Sequence, residues 1–211
     1  MNRKGILIVV SGFSGSGKGT LMKELLSRYA DTYALSISAT TRSPREGEEH
    51  GREYFFISKD EFEKMIAKGE LIEYARYVEN YYGTPREYVE KMLDEGRDVI
   101  LEIEIQGALK VKKAFPDTLL LFVTPPDATE LKNRLVGRGT ETLDVIKSRL
   151  DRACEEAEGM DSYDYLIVND DLNECVEKMH TIIQGEHHRS FRNKAFMKEI
   201  KEDLQRLKGE D

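Results

Sequence analysis

Five short runs of apolar, β-favouring residues recur along the chain, and helix-type patterns separate most of them. The runs cover residues 6–10, 33–37, 99–103, 118–123 and 165–168. Runs that are apolar at consecutive positions are typical of strands that are buried on both faces. Joined by helices, these runs predict an α/β fold with a five-stranded parallel sheet and helices on both of its faces.

Capping signals predict where some of the helices begin and end. Ser58 with Glu61, and Thr84 with Glu87, have the spacing of a capping box, in which two side chains satisfy backbone N–H groups of the first turn. Gly69 is a predicted helix end, because glycine readily adopts the left-handed conformation that follows a last turn.

The interval between the second and third predicted strands is too long for a single crossover helix. It contains alternating, aromatic-rich pieces at 53–57 and 71–77, which favour a small, mainly antiparallel sheet. We therefore interpret 38–96 as a lobe that is inserted into the α/β core.

Two further segments stand apart from the core. A Gly- and Arg-containing stretch joins two helical patterns and predicts a short lid. Apolar residues from Phe191 to Leu207 recur at near-helical spacing and predict an amphipathic helix that packs on the rest of the chain. We expect one domain that divides into a core (1–37, 97–135 and 153–184), the inserted lobe (38–96), the lid (136–152) and a C-terminal tail (185–211).

Composition narrows the classes of function. The 211 residues carry 32 Lys+Arg against 40 Asp+Glu, and the net charge of −8 disfavours a protein that works by non-specific nucleic-acid contact. No apolar run has the length of a membrane span and no cleavable signal is visible, so we expect a cytoplasmic protein without a membrane partner. Cys154 and Cys175 are too few for a disulfide framework, and their helical surroundings predict small core residues.

Residues 12–20 read Gly-Phe-Ser-Gly-Ser-Gly-Lys-Gly-Thr, between the first predicted strand and a helical pattern. A strand, a glycine-rich turn and a helix N-terminus in this order are the context of a phosphate-binding P-loop. Lys18 supplies a mobile charge for the β- and γ-phosphates. The candidate ATP-binding residues of this loop are Gly12, Ser14, Gly15, Ser16, Gly17, Lys18, Gly19 and Thr20. The alternative is a glycine turn that only caps a helix.

The residue after the lysine departs from the usual P-loop pattern. Gly19 follows Lys18, and the hydroxyl comes one place later at Thr20. This form is familiar from nucleoside monophosphate kinases, and it puts direct Mg²⁺ ligation by Thr20 in doubt.

The inserted lobe opens with a loop that is rich in arginine. Arg42 and Arg45 lie three residues apart beside a proline, and Tyr54 follows nine residues later. Two guanidinium forks and a phenol can hold a single phosphate. The alternative is a solvated, turn-rich loop.

These features together resemble the guanylate kinases. The matching stretches are the P-loop, SATTRSPREGEEHGREYFF, GELIEYARYVENYYGTP, ILEIEIQGA, RLVGRGTET and LIVNDDL, in family order from residue 5 to about residue 184. Several of them are long and peculiar to this family, whereas a P-loop alone is shared by many functions. The resemblance implies transfer of the ATP γ-phosphoryl group to GMP with Mg²⁺, and ATP and GMP as the small-molecule partners.

The resemblance also implies a set of GMP ligands. Arg42, Arg45, Tyr54 and Tyr82 correspond to residues that bind the GMP phosphate. Ser38, Glu73 and Thr84 correspond to residues that read the guanine ring. The chemistry supports Glu73, because one carboxylate can accept from both N1–H and N2–H₂ of guanine, whereas adenine offers an acceptor at N1. Thr84 is at the same time the predicted N-cap of the next helix.

Two acidic residues lie near the carboxyl end of the third predicted strand. The period of two places Glu102 and Glu104 on the same face of that strand. The resemblance implies that Glu102 holds Mg²⁺ through water. Glu104 stands where family members often carry Asp, and it corresponds to a residue that contacts the guanosine. The alternative is a pair of carboxylates that are satisfied locally at a strand end.

Arginines of the lid complete the implied site. Arg138 and Arg149 resemble the arginines that close over the phosphates during transfer, so with Lys18 they form the implied catalytic set. Asn169 corresponds to a residue beside the ATP base, although Asn-Asp-Asp also reads as an ordinary turn with a helix N-cap. Arg134 and Arg152 are interpreted as residues that only solvate their helices.

Two other functions remain open from the sequence. Non-catalytic guanylate-kinase-like modules bind protein ligands, but they typically lose P-loop residues that this chain retains. A kinase for another nucleoside monophosphate is disfavoured by Glu73 and by the SATTRSPR stretch.

Overall fold

The computed structural model of the chain describes residues 3–77, 79–137 and 142–208. Within these residues the strands are β1 (Leu7–Gly12), β2 (Tyr33–Leu35), β3 (Ala39–Thr40), β4 (Phe55–Phe56), β5 (Leu71–Tyr77), β6 (Asn80–Pro85), β7 (Asp98–Glu102), β8 (Leu119–Thr124) and β9 (Tyr165–Val168). The α-helices are α1 (Lys18–Arg28), α2 (Lys59–Lys68), α3 (Arg86–Asp94), α4 (Ile105–Ala114), α5 (Ala128–Gly137), α6 (Leu143–Ala157), α7 (Leu172–Glu186) and α8 (Lys194–Lys208).

The core sheet has five parallel strands in the order β2-β7-β1-β8-β9. β1 lies in the middle, where Val9 pairs with Leu101 of β7 and with Leu120 of β8. The five apolar runs of the sequence are these five strands, so the predicted fold class is confirmed. Strands β2 and β7 end earlier than predicted, at Leu35 and Glu102.

Helices cover both faces of this sheet. Alternate residues of β1 point to opposite faces, as the pleat of a strand requires. Ile8 and Val10 pack with residues of α1 and α7, whereas Leu7 and Val9 pack with residues of α3 and α4. Each fully buried apolar side chain of this size stabilises the fold by about 1.5–3 kcal/mol relative to exposure. Both faces of the sheet therefore contribute to the apolar core.

The inserted lobe contains a second sheet in the order β4-β3-β6-β5. Its β3–β6 and β5–β6 pairs are antiparallel, and its β3–β4 pair is parallel. Helix α2 packs on it through the fully buried Phe62. The predicted capping box of α2 is present between Ser58 and Glu61, and Gly69 ends the helix with a φ of 68°.

The second predicted capping box is wrong. Helix α3 has Pro85 as its N-cap residue and no side-chain capping bond. Thr84 lies instead within β6, where its side chain is fully buried, and its hydroxyl donates to Glu73 Oε1 at 2.9 Å. The Thr84 hydroxyl thus bonds to Glu73 on the neighbouring strand and does not cap α3.

The C-terminal tail also differs from its prediction. α7 runs on to Glu186, and a short 3₁₀ turn then leads into α8, whose Phe196, Ile200, Leu204 and Leu207 are exposed. The predicted helix exists, but its predicted packing is wrong. The reason is that a helical period shows which residues share a face, whereas packing depends on a complementary surface elsewhere in the chain.

Two smaller findings concern the cysteines and the helices. Cys175 is buried in the core as predicted, but Cys154 is exposed on α6, so its predicted burial is wrong. Across the described ranges, none of the helices combines the length and the apolar character that a membrane crossing needs.

Candidate active site

A cavity of about 720 Å³ lies where the carboxyl ends of β1 and β7 meet the inserted lobe and α6. The carboxyl edge of an open parallel sheet is the usual position of a ligand site. The wall of this cavity is built from several elements and includes Ser11, Gly12, Ser14, Lys18, Ser36, Ser38, Glu53, Tyr54, Thr84, Glu102, Glu104, Ser148, Arg149, Arg152 and Glu156.

The glycine-rich loop turns sharply into α1. Gly17 precedes the helix with a φ of 84°, and a Cβ atom there would lie 2.4 Å from Asn169 Nδ2, so only glycine fits. Lys18 opens the helix, and its Nζ donates to the Gly12 carbonyl at 3.1 Å. The helix dipole and the lysine both place positive charge at this point, which favours a bound anion.

Two residues from distant elements hold this loop in place. Asn169, which follows β9 and is buried, donates from Nδ2 to the Ser16 carbonyl at 2.8 Å. Arg134 of α5 donates to the Ser16 carbonyl at 3.3 Å and to the Asn169 carbonyl at 3.0 Å. The interpretation of Arg134 as a residue that only solvates its helix is therefore wrong. The alternative reading of Asn-Asp-Asp as a turn with a helix N-cap also applies, because Asp171 is the N-cap residue of α7.

Helix α6 reaches the same loop from the other side. Arg149 donates from Nη1 to Ser14 Oγ at 3.1 Å. The predicted lid arginine Arg138 lies outside the described residues.

In the inserted lobe, aromatic rings surround Arg42. Its guanidinium carbon lies 5.5 Å from the centroid of the Tyr54 ring, and the Tyr54 and Tyr82 rings are 6.0 Å apart. Arg42 Nη2 lies 2.9 Å from a carboxylate oxygen of Glu48, and this hydrogen bond raises the pKa of Arg42 above its ordinary value. Arg45 contributes its backbone N–H to the same carboxylate at 2.8 Å, and this bond lowers the pKa of Glu48.

Glu73 and Thr84 form the polar pair of β5 and β6. Burial raises the pKa of Glu73, and the hydrogen bond from the Thr84 hydroxyl acts in the opposite direction. Thr84 and Ser38 belong to the wall of the cavity, whereas Glu73, Arg42, Arg45 and Tyr82 lie outside it. Thr84 is therefore the member of this pair that borders the cavity, and Glu73 lies behind it within hydrogen-bond distance.

The acidic residues Glu102 and Glu104 do not lie on the same strand. β7 ends at Glu102, and Glu104 is the N-cap residue of α4, so the prediction that both side chains project from one strand face is wrong. Glu104 Oε2 lies 2.6 Å from Nη2 of Arg152, whose Nε lies 3.2 Å from Glu156 Oε1. Arg152 thus does more than solvate its helix, and that interpretation of the sequence is wrong as well.

Comparison with known proteins adds to this geometry. A sequence model of the family "Guanylate kinase" matches residues 4–186. A guanylate kinase of Bacillus cereus is 54% identical over 203 residues, which are 96% of this chain and 99% of that protein. One of Bacillus subtilis strain 168 is 52% identical over 187 residues, 89% of this chain and 92% of that protein. The crystal structure of guanylate kinase from Anaplasma phagocytophilum superposes with a TM-score of 0.69 at 31% identity and covers 90% of this chain and 89% of that one.

The chain belongs to the guanylate kinase family. The resemblance noted in its motifs is thereby confirmed, and with it the activity: the chain is an ATP:GMP phosphotransferase. The family match ends at residue 186, near the end of α7, so α8 lies beyond it.

Sequence reasoning missed some of the polar residues around this kinase site. Glu48, which holds Arg42 and Arg45, lies in the SATTRSPREGEEHGREYFF stretch, but nothing there distinguishes it from its acidic neighbours. Glu156, which holds Arg152, lies in none of the matching stretches. Glu156 is partly buried, its Oε2 has no hydrogen-bond partner among the described residues, and burial raises its pKa. A helical signal was available, because positions 149, 152 and 156 are spaced by three and four residues and therefore lie on one side of a helix.

Proposed function

We propose that the reaction takes place in this cavity, with ATP at the P-loop, GMP between the inserted lobe and the loop after β7, and α6 above both. The observation that carries the proposal is that Lys18, Arg149 and Thr84, from three different elements, border one cavity. Phosphoryl transfer needs an in-line approach and positive charge around the migrating group, rather than a covalent step.

On the ATP side, residues 12–20 cradle the phosphates with their backbone N–H groups, and Lys18 meets the β- and γ-phosphates. Arg149 already lies on this loop through its bond to Ser14, so its guanidinium is within reach of the transferred group. Asn169 has two roles: its side chain fixes the loop through the Ser16 carbonyl, and it borders the ATP base. Arg138 is part of the catalytic set by family position alone.

On the GMP side, the phosphate binds to Arg42, Arg45, Tyr54 and Tyr82. The bound phosphate replaces Glu48 as the partner of the Arg42 guanidinium, since both are anions that match its fork. Three of these side chains already form one cluster, with Arg42 over Tyr54 and Tyr54 beside Tyr82.

Glu73 reads the guanine base, together with Ser38 and Thr84, and Glu104 contacts the guanosine. The carboxylate of Glu73 accepts from the adjacent N1–H and N2–H₂ donors of guanine. Adenine offers it an acceptor and no amino group at C2, so AMP leaves this desolvated carboxylate without the two donors that guanine supplies, which is costly. The Thr84 hydroxyl holds one oxygen of this carboxylate in place.

Kinases of this family use ATP, and we propose that Mg²⁺ accompanies it, with Glu102 holding the ion through water. Mg²⁺ usually keeps several waters and is held by one or two carboxylates together with substrate phosphates. The donor fits such an ion, because Glu102 ends β7 in the wall of the cavity and offers carboxylate oxygens, the ligand type that Mg²⁺ takes. When bound, the ion would neutralise charge on the β- and γ-phosphates.

We also retain the division into core, lobe, lid and tail, and a cytoplasmic location, as proposals. The lobe and the core each have their own sheet, which supports that division.

The proposal is tested by a coupled assay of ADP formation with GMP, AMP, UMP and dTMP as acceptors. We expect rapid ADP formation with GMP, and kcat/KM lower by about 10⁴-fold or more with AMP. A comparable rate with AMP or with a pyrimidine monophosphate would refute the assigned base-reading site.

A further inference from the structure

A series of charged side chains crosses the candidate active site from α6 to the N-terminus of α4. Arg152 is in the middle, with Nη2 2.6 Å from Glu104 Oε2 and Nε 3.2 Å from Glu156 Oε1. Glu156 lies one helical turn from Arg152 on α6 and fixes the direction of the guanidinium. The far end of the series, Glu104, lies on the core.

The same helix carries a second link, toward the ATP side. Arg149, three residues before Arg152, donates to Ser14 Oγ of the P-loop at 3.1 Å. One face of α6 therefore touches the P-loop at Ser14 and the GMP side at Glu104. A ligand that fixes either contact also restrains the position of the other.

We propose that Arg152 is a positioning residue that couples the ATP site to the GMP site by holding Glu104. The inference rests on the proposed function, because it takes from it the contact between Glu104 and GMP. Arg152 itself is assigned no contact with either substrate.

The chemistry of the carboxylate allows both contacts at once. Arg152 uses Oε2 of Glu104, and a carboxylate has a second oxygen that can accept from a donor of the guanosine. Bound GMP then immobilises Glu104, and Glu104 immobilises Arg152. Helix α6 therefore stays against the P-loop, and this position favours the binding of ATP. Because coupling is reciprocal, ATP must favour GMP by the same factor.

The expected coupling is small. The side chains of Arg152 and Glu104 are 46% and 71% exposed, so solvent screens their attraction. Ion pairs with this exposure change an equilibrium constant by about 2- to 5-fold.

The test is calorimetric titration of GMP into the full-length protein, with and without a non-hydrolysable ATP analogue and Mg²⁺. The coupling ratio is the GMP Kd without the analogue divided by the GMP Kd with it. The proteins are the wild type, Arg152→Ala, Glu104→Gln, the double variant, and Lys147→Ala. Lys147 is a matched control, because it is an exposed cation on α6 with no ion pair among the described residues.

We expect a wild-type ratio above 1, a ratio about 2- to 5-fold lower in Arg152→Ala, and no further loss in the double variant. Lys147→Ala should keep the wild-type ratio. Arg152→Lys, which retains the charge, should recover part of it, and it replaces the alanine variant if thermal unfolding shows that the latter does not fold.

Different failures have different meanings. A wild-type ratio of 1, an unchanged ratio in Arg152→Ala, or an equal loss in Lys147→Ala would each overturn the coupling. If Glu104→Gln leaves the GMP Kd unchanged, the GMP contact of Glu104 is wrong and the coupling falls with it. If Glu104→Gln weakens GMP binding while Arg152→Ala keeps the wild-type ratio, only the coupling is wrong.

Discussion

The hydrogen bond between Thr84 and Glu73 gives the sharpest single prediction. The Thr84→Val substitution replaces a hydroxyl by a methyl group of nearly the same size at a fully buried position. It removes the donor that lies 2.9 Å from Glu73 Oε1. Hydrogen bonds to charged groups are worth about 1.5–3 kcal/mol, so we expect kcat/KM for GMP to fall by about 10- to 100-fold.

The same substitution should change the pH dependence, and its sign follows from the structure. Glu73 must be ionised to accept from both guanine donors, so kcat/KM for GMP falls on the acid side as the carboxyl takes up a proton. Burial raises the pKa of Glu73, and the Thr84 hydrogen bond lowers it. Loss of the hydroxyl therefore raises this pKa further, and the acid limb of the profile should move to higher pH.

The assay is the initial rate of ADP formation at subsaturating GMP and saturating ATP, over a range of pH. Thr84→Ser is the matched control, because it keeps the hydroxyl and should retain most of the wild-type kcat/KM and its pH profile. If Thr84→Val has a wild-type profile, or if Thr84→Ser loses as much as Thr84→Val, the assigned role of this hydrogen bond is wrong.

Three further predictions concern the P-loop, the GMP phosphate and the inserted lobe. Lys18→Ala should lower kcat for ADP formation by about 100-fold or more, because it removes charge that meets the transferred group. Lys23→Ala, on the exposed side of α1, is the control and should keep the wild-type kcat. Near-normal turnover of Lys18→Ala would contradict the catalytic role. Arg42→Ala should weaken GMP binding about 10- to 100-fold in calorimetry and leave ATP binding nearly unchanged. Arg76→Ala, at an exposed arginine of the same lobe, is the control and should bind GMP as the wild type does. Equal losses for both nucleotides would show that Arg42 is not part of the GMP site. Phe62→Ala should lower the free energy of unfolding by about 3–5 kcal/mol in urea denaturation, because this side chain is fully buried in the lobe. A loss below about 1 kcal/mol would show that the packing of Phe62 contributes little to stability.

The core sheet could be predicted because its strands carry their own signal. A run such as 6–10 is apolar at every position, and a strand buried on both faces is the structure that such a run stabilises. The P-loop was predictable for a similar reason, since Gly17, Lys18 and the flanking strand and helix are neighbours in the sequence. Local patterns of this kind do not depend on distant partners.

The errors arose where a distant segment decides the outcome. Thr84 and Glu87 have capping-box spacing, but Glu73 on the neighbouring strand binds the hydroxyl instead. The sequence around Arg152 is that of a solvated helix, and its partner Glu104 lies on another element. In the tail, periodicity predicts a helix but does not say which surface will cover its apolar face. Most of the site residues were reached through family motifs, which carry this long-range information.

The central claim is that the site is specific for GMP because Glu73 reads guanine. The most direct test is kcat/KM for GMP and for AMP, measured in the wild type and in Glu73→Gln. An amide offers one acceptor and one donor group, so it can satisfy only part of the guanine edge. We predict a wild-type preference for GMP of about 10⁴-fold or more, and a clear loss of that preference in Glu73→Gln. An unchanged ratio of the two kcat/KM values would contradict the account.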